Sequence, residues 1–139
     1  MFKDEGKTGD AKGLEGTGLS ILVVDDYGDA AQMLSRLLSL DGHRVEIAHD
    51  GPAAIAAAKR AVPDVVLLDI GLPGMDGYEV AQKLREIEGF DRVLVIALTG
   101  YGKQADREES ASFDHYLLKP VDPARIRQLI LDWRSREGR

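Results

Sequence analysis

The stretch Val65-Val66-Leu67-Leu68-Asp69-Ile70-Gly71-Leu72-Pro73-Gly74-Met75-Asp76-Gly77 decides the fold. A short apolar run with β-branched residues stops at an acid, and a turn rich in glycine with one proline follows. A strand that is apolar at every position is covered on both faces, so helices must lie above and below it. The glycines and the proline fit a tight turn in which backbone passes close to a bound group.

Similar runs flank this one. Ile21-Leu22-Val23-Val24 and Val93-Leu94-Val95-Ile96-Ala97-Leu98 are apolar throughout, whereas Val45-Glu46-Ile47-Ala48 is mixed and reads as an edge strand. Tyr116-Leu117-Leu118 is a shorter strand. Helical spacing fills the gaps. Ala30, Met33, Leu34, Leu37 and Leu38 share a face over 29–40, and Gly42 supplies the stop. Pro52 suits the first turn of a helix over 52–61. Asp76 and Glu79 make a capping box for a helix over 77–88. A short polar helix is expected over 103–111. Asp122-Pro123 starts a helix over 123–136, with Ile126, Leu129, Ile130 and Trp133 on its apolar face. Strand and helix alternating five times predict a doubly wound α/β domain over 19–137, with a five-stranded parallel sheet in the order 2-1-3-4-5.

Composition agrees with one such domain. The chain has 139 residues and 44% apolar content. It has no cysteine, which excludes disulfides, zinc–thiolate sites and cysteine nucleophiles. A net charge of −6 without a long basic run argues against nucleic acid as a partner. No apolar stretch approaches the roughly 20 residues of a membrane span, and the start lacks a secretory core, so the expected location is cytoplasmic. Residues 1–18, with Gly6, Gly9, Gly13, Gly16 and Gly18, read as a flexible tail or linker.

In open parallel sheets, ligands sit at the carboxyl ends of the strands. Asp25-Asp26, Asp69, Thr99 and Lys119-Pro120 stand there. His49-Asp50 ends the edge strand and adds nothing obvious. Each residue alone has an ordinary explanation: a cap, a turn acid, a strand end, a solvated lysine. Together they place three carboxylates, a hydroxyl and an ammonium on one rim. Like charges about 4 Å apart repel by about 4 kcal/mol at an effective dielectric near 20. Three acids therefore call for a divalent cation, and an all-oxygen set favours Mg²⁺, or Mn²⁺, over zinc. Such a site suits phosphoryl transfer, with Thr99 and Lys119 stabilising charge on the phosphoryl oxygens. Asp69, between the acids and the Lys–Thr pair, is the natural acceptor, giving an acyl phosphate. Gly100 leaves space for a bulky donor.

Ile21–Asp26, Asp69–Gly77, Ala97-Leu98-Thr99-Gly100 and Lys119-Pro120 resemble the receiver domain of two-component response regulators. The resemblance implies that Asp69 is the phosphorylated aspartate. It implies that Asp25, Asp26, Asp69 and the Gly71 carbonyl hold the metal, with Asp26 the more direct acidic ligand. It makes Thr99 the switch hydroxyl, Lys119 its ammonium partner before a cis proline, and Tyr116 the ring that moves when Thr99 moves. A histidine kinase or histidine phosphotransfer domain would supply the phosphoryl group. The domain would signal, taking part in its own phosphorylation and dephosphorylation, and would not turn over a separate substrate. The segment from Thr99 to Lys119 is short for the family, which implies a trimmed helix over 103–111 and puts the usual output face in doubt. The glycine-rich lead and Asp114–Pro123 look like receivers of hybrid sensor kinases. Nothing after Trp133 is long enough for a DNA-binding output domain.

Three other readings stay open. A phosphatase of the haloacid dehalogenase type needs an acid two residues after its nucleophile, where Gly71 follows Asp69 and Tyr27 follows Asp25. A flavodoxin-like cofactor binder needs a phosphate loop where Asp25-Asp26 would repel the ligand. A receiver that signals without phosphate would not need the intact acidic pair, Thr99 and Lys119.

Overall fold

The computed structural model describes residues 18–26, 28–71, 76–100 and 112–137. The chain runs β1 (Ser20–Val24), α1 (Asp29–Leu40), β2 (Arg44–Ala48), α2 (Gly51–Arg60), β3 (Val65–Asp69), α3 (Gly77–Arg85), a 3₁₀ turn (Phe90–Arg92), β4 (Leu94–Thr99), β5 (His115–Leu118) and α4 (Pro123–Glu137). The five strands are parallel, in the order β2-β1-β3-β4-β5. This is the expected doubly wound sheet. The expected helix over 103–111, the tail through Thr17, and Leu72–Met75 of the turn lie outside the described residues.

Burial follows the residue pattern. Every residue of β3 and β4 is buried, whereas the edge strand β2 alternates. Side-chain alternation splits the core into two layers. Leu22, Val24, Val66, Leu68, Val95 and Ala97 pack with α2 and α3 on one face. Ile21, Val23, Val65, Leu67, Ile96 and Leu98 pack with α1 and α4 on the other.

The helix ends are made by local chemistry. Asp50, Asp76 and Asp122 each accept a backbone N–H of the first turn of the following helix, from Ala53, Tyr78 and Ala124. Gly42, at φ 97°, closes α1: its N–H donates to Ser39 O, and the His43 N–H donates to Leu38 O.

Helix α3 is shorter than its apolar periodicity suggests, ending at Arg85. Arg85 explains the early stop. Its guanidinium donates to the carbonyls of Phe90 (2.7 Å) and Val93 (2.9 Å), folding the chain back beneath the helix. Gly89, at φ 95°, makes the bend.

Candidate functional site

The register sets the level of each candidate residue. Val24 pairs with Leu68, and Leu68 with Ala97. Asp25 and Asp69 therefore leave the sheet side by side, on either side of the point where the chain direction of the crossovers reverses. Thr99 pairs with Leu118, so Lys119 follows at the same rim. The backbone is tied there as well, by Lys119 N–H to Thr99 O (2.9 Å) and Ile70 N–H to Leu98 O (3.0 Å).

Among the described residues, Asp69 and Thr99 are the polar side chains that are buried, at 3% and 0% exposure. Both end central strands at this rim. A buried carboxylate needs partners. Asp69 Oδ2 is paired with the Lys119 ammonium, and its Oδ1 accepts the Gly71 N–H at 2.9 Å. A Cβ on Gly71 would lie 3.5 Å from Oδ1, in ordinary contact. The peptide bond between Lys119 and Pro120 is cis, as the resemblance implied.

The acidic side of the rim is under electrostatic load. Burial, a hydrogen bond with Asp26 and the charge of Asp69 push the Asp25 carboxyl from 3.8 up to about 6, against the pull of Lys119. Among the described residues, no three His, Cys, Asp or Glu side chains are set to cage a metal ion by themselves. His49, unremarkable in the sequence, has its Nδ1 3.2 Å from the Asp25 carbonyl. Only the pairing of β1 with β2 brings it there.

Thr99 and Tyr116 share one face of the sheet: Thr99 has the parity of Ala97, which pairs with Tyr116. Tyr116 is half-buried against the α2–α3 layer. Gly100 follows Thr99 at the rim, half-buried. A groove of about 270 Å³ runs from Asp25 and Lys119 between α1 and the segment joining β5 to α4, past Leu34, Leu37 and Val121.

The response regulator receiver domain matches residues 21–131 of this chain. The chain belongs to that family. Its receiver sequence is 40% identical over 116 residues to the response regulator PleD of Caulobacter vibrioides, covering 78% of this chain and 25% of PleD. The chain thus spans about a quarter of that relative. Among solved receivers, the CheY-like domain from Methylobacillus flagellatus superposes with a TM-score of 0.75 at 27% identity, over 84% of this chain and 98% of that one. The receiver domain of the sensor histidine kinase PA1611 of Pseudomonas aeruginosa, which has a magnesium ion in its active site cleft, superposes with a TM-score of 0.74. It is 34% identical, over 84% of this chain and 97% of that one. As a receiver, the chain is a two-component signalling domain. Among its described residues, no helix is long and apolar enough to cross a membrane.

Proposed function

We propose that this receiver accepts a phosphoryl group on Asp69, from a phosphohistidine of a histidine kinase or phosphotransfer domain, with Mg²⁺ held at Asp25, Asp26, Asp69 and the Gly71 carbonyl. The observation that carries the reading is a buried carboxylate at the end of the central strand, paired with Lys119 and lying beside the acid pair. The magnesium in the cleft of the PA1611 receiver supports the choice of metal.

In the reaction, a carboxylate oxygen of Asp69 forms a bond to phosphorus as the phosphorus–nitrogen bond of the donor breaks. The bonding pair returns to the imidazole. The bound cation supplies charge neutralisation for the phosphoryl oxygens. The Gly71 N–H holds Oδ1 and fixes the plane of the carboxylate. The ammonium of Lys119, already on Asp69, passes to a phosphoryl oxygen. Thr99 turns its hydroxyl toward the same group, and Tyr116 follows into the space it leaves, biasing a two-state surface. Gly100 keeps the mouth open. The apolar groove between α1 and the segment joining β5 to α4, reaching to Asp25 and Lys119, supports a protein donor. Hydrolysis of the acyl phosphate on the domain itself resets it. Likeness to the PA1611 receiver supports an origin in a hybrid sensor kinase.

Intact mass after incubation with acetyl phosphate and Mg²⁺ tests this. One added phosphoryl group is expected, absent when the metal is chelated beforehand and absent in Asp69→Asn. A wild-type mass that stays unmodified under those conditions would defeat the reading.

A further inference from the structure

Helix α3 holds the approach to β5 at both of its own ends. In its first turn, Tyr78 sets its ring edge-on to Phe113, with centroids 5.6 Å apart and planes at 89°. In its last turn, Arg85 donates from Nε to the Ser112 carbonyl (3.0 Å) and from Nη2 to the Asp114 carboxylate (3.0 Å). Ser112 and Asp114 are the chain neighbours of Phe113. Asp114 is also pinned to β4, accepting the Val95 N–H on Oδ2 (2.8 Å) and donating its own N–H to Val95 O (2.8 Å). Phe113 is therefore a fixed, buried ring, 7% exposed. It meets Tyr116 with centroids 5.4 Å apart and planes at 55°.

We propose that Phe113 is the positioning residue that sets the resting orientation of the Tyr116 ring, with Tyr78 and Arg85 holding Phe113 in place for that task. The inference rests on the reading of Tyr116 as the ring that moves. An aromatic contact of this geometry shifts a two-state population by roughly 2- to 12-fold beyond its area burial. A ring that leaves Phe113 gives up that preference; a ring that stays keeps it. The wall is also tied to the phosphoacceptor strand. Gly77, the first residue of α3, lies against Ile70, where an added Cβ would come within 2.7 Å of Ile70 backbone and side chain. Ile70 directly follows Asp69. The balance of Tyr116 thus depends on α3 as well as on Thr99.

The test is fluorine NMR of the full chain labelled with 3-fluorotyrosine, the Tyr27, Tyr78, Tyr101 and Tyr116 signals being assigned by single Tyr→Phe variants. Spectra are taken with and without Mg²⁺ and beryllofluoride, a phosphoryl mimic. In wild type the Tyr116 signal moves on adding the mimic. In Phe113→Leu the resting signal lies displaced toward the mimic-bound position, by the shift a 2- to 12-fold population change produces. Leu38→Val, a core truncation in the opposite layer, leaves it in place while lowering the melting temperature. Should Phe113→Leu not fold, Tyr78→Leu is read the same way, with a smaller displacement of the same sign. A responding wild type combined with unmoved resting signals in the folded variants overturns this inference alone. A wild-type signal that ignores beryllofluoride overturns the Tyr116 reading and this inference with it.

Discussion

Asp25 sits between opposing influences. Its carboxyl is pushed up to about 6 by burial, by its hydrogen bond with Asp26 and by the charge of Asp69. A group whose folded value lies above its unfolded 3.8 binds more protons in the folded state between those values. Without metal, its contribution to stability is therefore present below about pH 4 and is lost as pH rises to about 6. In metal-free buffer at neutral pH, Asp25→Asn should stabilise the domain by about 1 kcal/mol after discounting for solvent screening, roughly 4 °C in melting temperature. An unchanged or lower melting temperature would mean that the acids do not strain the fold. His43 works in the opposite direction. Its Nδ1 accepts the Leu19 N–H at 3.0 Å, and burial lowers its pKa from 6.5, with Arg134 acting the same way and Asp41 and Asp64 opposing. A depressed folded value gives stability that is complete above 6.5 and declines as pH falls below it. Urea midpoints between pH 7.5 and 5 should therefore drop more for wild type than for His43→Gln, in which that protonation step is missing.

At the scale of elements, β3 and α3 meet at close quarters where Gly77 lies against Ile70. A Cβ on Gly77 would lie 2.7 Å from Ile70 Cα, Cβ and Cγ2, and backbone cannot give way as a flexible side chain could. Gly77→Ala should cost about 1–3 kcal/mol, as overpacked positions do. It should also slow phosphoryl uptake by acetyl phosphate, because the relief moves the backbone next to Asp69. Normal uptake in a destabilised variant would separate the packing from the site. The glycines of Asp69–Gly77 suggested a tight turn. What sequence could not tell was which glycine lacks room, since Gly71 and Gly77 look alike in the chain and differ only in what the fold places against them. Element ends divide in the same way. Asp76 and Asp122 are caps whose chemistry is local, and both were legible; Asp50 caps α2 in the same way but was not read as a cap from the sequence. The end of α3 depends on Arg85 reaching Phe90, Val93, Ser112 and Asp114, contacts that no periodicity encodes.

For the whole molecule, metal binding and stability are linked. A cation that binds only the folded receiver stabilises it by about 2.7 kcal/mol at a hundred times its Kd. That should raise the melting temperature by roughly 10 °C in a domain of this size. Chelation should reverse the rise, and Asp26→Ala should abolish it. A Mg²⁺-dependent rise that survives in Asp26→Ala would place the cation elsewhere.

The alternation of strand and helix, the parallel sheet, and the rim where Asp25, Asp26, Asp69, Thr99 and Lys119 stand were all readable in the linear chain. These follow from local pattern: apolar runs need cover on both faces, and strand ends carry the residues that leave the sheet. Which of these residues touch came from the folded chain alone. It paired Lys119 with Asp69, set His49 beside the Asp25 carbonyl, and brought the Tyr78 ring edge-on to Phe113 and the Phe113 ring against Tyr116. Except for Phe113 and Tyr116, three residues apart, these contacts join residues far apart in the chain, and their partners are set by strand register and helix packing, which a linear pattern does not carry.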